Sequence, residues 1–348
     1  MDTSFYSQMD FLLNWAGEHY RISGKKICVA VSGGSDSVAL LMLSYDWARQ
    51  YGYEIVCVTV DHQLRPESAE EAEFVQTLCG TRGIGHHTLN WCRSSDVIAP
   101  GKLEMLAREA RYGLMADFCR SNDVKFLLTG HNWNDQLETC EMRRQFGSQE
   151  NGLAGMSRCR SIAHDLKLLR PLLYFPKAQL KDFLMARNTS WKQDPMNDDP
   201  SFLRVACRNQ IGDYDDRKIK AYTEEILQRG RKRNNLETKA VSFLKCFCQF
   251  LDNKYVALDL ASLCREAPEV QREILRRIIW SVGGKKYSTF ISEERRLKIL
   301  QQEINTLGRC RLKIKRDMLY VFREFRLPYD NANNKIVFES VNLYEIFL

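Results

Sequence analysis

The sequence predicts an α/β fold, a doubly wound and mostly parallel sheet, followed by a helical domain and a short β-containing tail. Three observations carry this. From Lys26 to about Leu173, short β-branched or apolar runs alternate with longer segments of helical period, which is the pattern of parallel strands joined by crossover helices. The first such strand runs directly into Ser32-Gly33-Gly34-Ser35-Asp36-Ser37 and then the apolar helical run Val38–Leu43. Near the C-terminus the period changes to two, where Arg309, Arg311, Lys313 and Lys315 alternate with Cys310, Leu312 and Ile314.

In chain order, the expected strands of the first domain are Ile27–Val31, Ile55–Val60, His87–Trp91, Phe126–Thr129 and Lys167–Arg170. The expected helices between them run about Asp36–Tyr51, Glu67–Gly80, Leu103–Ser121 and Asn134–Phe146. A parallel sheet binds ligands beyond the carboxyl ends of its strands, so the loops after Val31, Val60 and Thr129 belong on one rim. Pro176 to Asn188 reads as a further helix with proline in its first turn, and Asp194 to Asp199 as a polar, proline-bounded loop. The first domain is expected to span residues 1–213. A second, helical unit is expected over 214–305, with helices through Trp280 stopped by Gly283-Gly284. The remaining segment, 306–348, is expected to hold the half-buried basic strand, a turn at Asp317 and the strand Leu319–Arg323.

At 348 residues, 44% apolar and 27% charged, the chain has the composition of a globular protein and not of a disordered or fibrous one. The longest apolar run near the start, Val38–Leu43, falls far short of the roughly 20 residues of a membrane helix. Polar residues interrupt Met1–Asn14, unlike a secretion signal, so a cytosolic protein without membrane contact is expected. The 12 cysteines then read as reduced, and no Cys-x-x-Cys pair suggests zinc or an iron–sulfur cluster. A net charge of +7 suits an acidic partner.

A strand, a glycine loop and a helix N-terminus together aim backbone N–H groups and the positive helix end at an anion. The loop is not a Walker A sequence, because no lysine follows the glycines to reach a terminal phosphate. Asp36 would repel phosphate unless a divalent cation, most simply magnesium, lay between them. An ordinary capped turn is the alternative, and two serines, two glycines and an aspartate in this order are more restrictive than that.

This SGGSDS string resembles the PP-loop of the N-type ATP pyrophosphatases, which cleave ATP between the α and β phosphates. Four further strings resemble the tRNA(Ile)-lysidine synthetase family within that superfamily. They are Val60 to Ser68 (VDHQLRPES), Glu104 to Tyr112 (EMLAREARY), Thr129 to Thr139 (TGHNWNDQLET), and Arg170-Pro171-Leu172-Leu173 with Trp191 to Arg208 (WKQDPMNDDPSFLRVACR). The resemblance implies ATP as cosubstrate with Mg2+, held by Ser32, Gly33, Gly34, Ser35, Asp36 and Ser37, with Arg108, Arg111 and His131 also contacting the nucleotide. It implies that Asp36 is the metal-facing catalytic carboxylate, and that Asp135 and Glu138 help to bind L-lysine. Asp135 and Glu138 lie three apart at a helix start, where helix-capping carboxylates are the plainer alternative. Asn134 stands where the family carries the first acid of an Asp-Asp pair. Arg204 and Arg208, four apart, are expected to meet an RNA phosphate or the ATP, or else solvent.

The implied reaction joins lysine to C2 of the wobble cytidine of a tRNA(Ile) with a CAU anticodon, through an adenylated base. The basic runs at Arg229–Arg233, Arg272/Arg276/Arg277, Lys285-Lys286, Arg295-Arg296 and Arg309–Arg316 suggest that 214–305 and the tail offer a tRNA-binding surface. The alternatives are a tRNA thiolase of the same superfamily, opposed by the missing Cys-x-x-Cys, and a catalytically inactive RNA-binding protein. The oligomeric state stays open, with a homodimer among the options.

Overall fold

A computed structural model describes residues 1–20, 24–63, 67–91, 100–148, 150–163, 166–193, 203–251, 255–284 and 289–324. In chain order its first part holds α1 (Asp2–Tyr20), β1 (Lys26–Ala30), α2 (Ser35–Tyr51), β2 (Glu54–Asp61), α3 (Glu67–Gly80), β3 (Gly85–Asn90), α4 (Pro100–Ser121) and β4 (Phe126–Thr129). There follow α5 (Trp133–Gln145), α6 (Glu150–Leu153), β5 (Cys159–Ala163), β6 (Leu166–Leu169), α7 (Lys177–Ala186), α8 (Leu203–Gly212) and α9 (Asp216–Phe247). The rest is β7 (Cys248–Leu251), β8 (Tyr255–Asp259), α10 (Leu260–Arg265), α11 (Pro268–Gly283), α12 (Glu293–Leu300), β9 (Thr306–Leu307), β10 (Cys310–Lys315) and β11 (Met318–Arg323).

The first six strands form one sheet in the order β3-β2-β1-β4-β6-β5, with β1 central between β2 and β4. Every pairing is parallel except that of β5 with β6. Because alternate residues of a strand face opposite sides, β1 sends Ile27 and Val29 into one core and Cys28 into the other. The first core packs α1, α2, α3 and α7 against the sheet, and the second packs α4 through Met115, Ala116 and Cys119. Two thiol pairs, Cys28 with Cys119 and Cys57 with Cys79, are hydrogen-bonded inside these cores, and burial pushes the Cys28 and Cys57 thiols well above the usual range. No disulfide occurs among the described residues.

Each expected strand and helix of the sheet is present; Phe126–Thr129 and Glu67–Gly80 keep the expected bounds, and the others shift at one or both ends. Helices α1, α6 and α8 and strand β5 were not anticipated. α1 buries Phe5, Met9, Leu12, Leu13 and Ala16 at helical spacing, and Asp10 Oδ1 accepts from Trp47 Nε1 at 3.0 Å. β5 is an antiparallel edge strand with an irregular register, so it has no crossover helix to announce it.

The chain divides into two compact units, Met1–Gly230 and Arg231–Leu348. The division falls inside α9, not at Asp213, and there are two units where three segments were expected. The helical reading of the second unit needs a correction. β7 and β8 lie within the stretch taken as helical, and they join β9, β10 and β11 in an antiparallel sheet of order β7-β8-β11-β10-β9. β8 pairs with β11, a partner remote in sequence, so the strands of the expected 306–348 segment complete a sheet begun earlier. Val256, Leu258, Leu312, Leu319 and Val321 meet Ile274, Ile278 and Ile279 of α11 in its core. α11 ends as expected, with Gly284 left-handed at φ 58°.

The basic runs need a second correction. Arg277 and Arg296 are buried; Arg276 and Arg277 pair with Glu273, and Arg272 and Arg296 with Glu293. These arginines neutralise buried or neighbouring carboxylates of their own unit and so do not form a free cationic surface. Arg311, Lys313 and Lys315 are exposed on β10 as the alternation predicts, with Cys310 and Leu312 beneath. Lys285-Lys286 lies outside the described residues, as does the Asp194–Asp199 loop. No helix among the described residues is long and apolar enough to cross a membrane.

Candidate active site

The loop Ser32–Ser37 leaves the carboxyl end of β1, the central strand of the sheet. Val31 N–H donates to Val58 O at 2.9 Å, which carries the ladder one residue past the strand. Gly33 then adopts φ 88°, a left-handed value that a side chain disfavours. Gly34 is the N-cap of α2 and offers no side-chain acceptor to the first turn, so the amide N–H groups at that helix end are suited to an anion. The loop is braced internally. Ser37 Oγ donates to Gly34 O at 2.9 Å and accepts from Ser32 N–H at 3.1 Å, while Gly33 O accepts from Lys192 N–H at 2.9 Å. Ser37 is thus a brace of the loop's shape. The Asp36 carboxylate is half-buried at the same end and has the Lys177 ammonium 3.5 Å from Oδ2.

Gly130, just beyond β4, brings the second part of the site against the first. A Cβ placed there would stand 3.0 Å from the carbonyl carbon and oxygen of Asp36, so a side chain would press on the Asp36 backbone and glycine favours this approach. Two residues on, Asn132 caps α5 in a reciprocal box: Asp135 N–H donates to Asn132 Oδ1 at 3.1 Å, and Asn132 N–H to Asp135 Oδ2 at 2.9 Å. Asp135 Oδ1 accepts from Arg204 at 2.8 Å. Glu138, buried, accepts from Arg204 Nε and Arg208 Nε, each at 2.7 Å. Burial raises the Asp135 carboxyl, the charges of Glu138 and Asp36 push the same way, and Arg204 opposes them. Asp36 and Asp135 therefore lie within electrostatic reach of each other.

Around these carboxylates stands a set of arginines. His131 Nδ1 lies 2.9 Å from Thr129 Oγ1, and its pKa falls to about 3 through burial and then the charges of Arg170, Arg204, Arg108 and Arg111. A histidine held neutral among four guanidinium groups marks a pocket suited to an anion. Arg111 reaches His62 Nε2 through both Nε and Nη2, at 3.1 and 2.9 Å. Nε2 thus accepts and Nδ1 carries the proton; burial, then Arg111, lowers this histidine to about 4. Arg108 and Arg160 lie over the Tyr112 ring at 5.3 and 5.1 Å. Arg170 is buried, donates to Ser157 O at 2.7 Å, and keeps a buried Nε without a hydrogen-bond partner among the described residues. Burial draws its pKa down to about 10.

The residues that the resemblance assigns to ATP and lysine lie on one rim of the first unit: the loop, Asp36, Asp135 and Glu138 together, and His131 among the charges of Arg108 and Arg111. Arg204 and Arg208 sit there too, bound to Glu138 instead of turned to solvent. Sequence reasoning missed three contributors. Lys177 gave no local signal, and His62 and Arg170 each lay in a quoted string without a role of their own.

With the geometry in hand, comparison with known proteins gives a consistent result. The family model described as a PP-loop domain matches residues 2–214. A protein of Rickettsia felis named tRNA(Ile)-lysidine synthase is 29% identical over 334 residues, covering 93% of this chain and 75% of the relative. Proteins of the same name from Rickettsia akari and Wolbachia pipientis are 30% identical over 336 residues and 31% identical over 314 residues, covering 75% and 70% of those relatives.

Proposed function

We infer the function from one premise, that this chain belongs to the PP-loop family, and propose that it acts as an ATP-dependent ligase of the tRNA(Ile)-lysidine synthase kind. The observation that supports this best is the meeting, at Gly130, of an uncapped helix N-terminus and the carboxylate–arginine rim of α5 and α8. The loop amides grip pyrophosphate as it departs, and the rim beside them receives the second substrate.

In this reading the C2 carbonyl oxygen of the wobble cytidine attacks the α-phosphate, and AMP makes that oxygen a leaving group. The ε-amine of lysine then displaces it. A wobble base is unpaired, so it enters the pocket without the cost of opening a duplex. Arg108, Arg111, Arg170 and neutral His131 surround the polyphosphate, and Asp135 and Glu138 orient lysine. The carboxylate of Asp36 draws an ammonium to 3.5 Å, so it fits a magnesium ion held by one carboxylate and the substrate phosphates. When bound, that ion neutralises charge on the polyphosphate.

The test is transfer of labelled lysine to an isoleucine tRNA transcript with a CAU anticodon, beside a methionine tRNA transcript with the same anticodon. The isoleucine transcript alone should be labelled, with pyrophosphate released. Asp36→Ala should abolish transfer while tRNA affinity stays near that of the parent. Labelling at the parent rate by that variant would remove Asp36 from its assigned role, and thiolation instead of lysine transfer would favour the thiolase.

A further inference from the structure

We propose that Lys177 is the phosphate-contacting ammonium that the glycine loop itself lacks, supplied by a helix far along the chain and held on Asp36 until a polyphosphate arrives. This rests on reading the loop as a polyphosphate cradle. The loop carries no lysine of its own, and the cation that stands at its aspartate is Lys177.

The placement follows from how α7 packs. Leu180 and Leu184 are fully buried in the core that α2 shares. Two ion pairs tie the helices, Lys177 to Asp36 at their starts and Arg187 to Asp46 further on. Both pairs are separated by the same number of residues on each helix, about 15 Å of rise. The helices therefore run side by side in the same direction, and both positive N-terminal ends face the rim.

The backbone of Lys177 is fixed more firmly than its side chain. Its N–H donates to Asn134 Oδ1 at 3.0 Å, and Trp133 N–H donates to Phe175 O at 3.0 Å, which anchors the start of α7 to the start of α5. Pro176 is the N-cap of α7 and provides no side-chain cap, so Asn134 does this from across the site. A neutral amide here caps α7 without adding another carboxylate beside Asp36 and Asp135. The Lys177 side chain is 36% exposed and lies 3.5 Å from its partner, longer than a tight charge-assisted hydrogen bond. Such a pair is weakly held, and an incoming phosphate oxygen of higher charge density takes the ammonium from Asp36. That exchange frees the carboxylate for the metal.

The test uses the full chain and equilibrium titration by calorimetry, with pyrophosphate and with adenosine as separate probes, with and without magnesium. Lys177→Met should weaken pyrophosphate by about tenfold or more, the worth of one hydrogen bond to a charged group. Lys177→Arg should recover much of the loss, and adenosine affinity should stay unchanged in both. Should K177M not fold, K177Q takes its place against K177R. Pyrophosphate affinity equal to the parent in the folded neutral variant overturns the proposal, as does an equal loss for adenosine. A parent chain that binds neither probe overturns the polyphosphate reading of the loop, and that failure is visible before any variant is made.

Discussion

Between Ser32 and Ser37 the groups without side-chain partners are main-chain amides of a helix start, whereas between Asp135 and Arg208 the charged side chains already have partners. The loop depends on main-chain shape, braced by the Ser37 hydroxyl. It needs Gly33 at φ 88°, a helix start without a side-chain cap, and room for Gly130 against Asp36. The rim depends on ion pairs between α5 and α8, and Glu138 stands at their centre with both oxygens accepting. In the proposed reading, a substrate lysine enters this network by sharing or displacing an arginine. The ion pairs fasten α8, and in the proposed reading the same rim also receives substrate, two duties that separate only under mutation.

The largest expected effect bears on the fastening. Replacing both Arg204 and Arg208 with alanine leaves the buried Glu138 charge uncompensated, which should cost about 3–5 kcal/mol. The thermal midpoint should drop by roughly 10 °C. A midpoint within a degree or two of the parent would break the contrast, since the ion pairs would then not fasten α8.

A smaller effect is expected in the loop. Gly130→Ala drives a methyl group to 3.0 Å from the Asp36 carbonyl, and backbone on both sides must shift. The cost should be about 1–3 kcal/mol, with nucleotide affinity falling about tenfold. Unchanged nucleotide affinity in a destabilised variant would show that the loop tolerates displacement and would weaken the claim that its shape is the site.

The smallest effect is with pH. His131 and His62 have folded pKa values of about 3 and 4, below the ordinary histidine value, so between those values and about 6.5 the unfolded chain binds more protons. Stability is therefore full above about pH 6.5 and declines on acidification. At about pH 5 each histidine, discounted for partial exposure, should cost about 1 kcal/mol. Denaturant midpoints of the parent and of His131→Gln across this range measure it, and parallel curves would sharpen the contrast by assigning the acid sensitivity to other groups.

The two regions also differ in how far the sequence disclosed them. Ser32 to Ser37 is a contiguous string whose geometry follows from its own residues, so strand, loop and helix were legible in order. The spacing of Asp135 and Glu138 showed a shared helix face, yet not which partners would meet it, because Arg204 and Arg208 come from a helix remote in the chain. Lys177 was invisible for the same reason. Beyond the site, β5 and β8 were missed because their pairing partners, and not their own periodicity, make them strands. The basic runs misled where charge counts could not tell a buried arginine on Glu273 from one open to solvent.

The paired thiols of the sheet's two cores turn this protein into its own reporter. Cys28 and Cys119 press against one face and Cys57 and Cys79 against the other, all of them buried. An alkylating reagent can reach them only when the layers part, whereas Cys246 and Cys264 lie exposed in the second unit. Once the exposed thiols have reacted, slower alkylation located by peptide mapping at Cys28, Cys57, Cys79 and Cys119 would time excursions of the first unit's sheet layers, with no engineered probe.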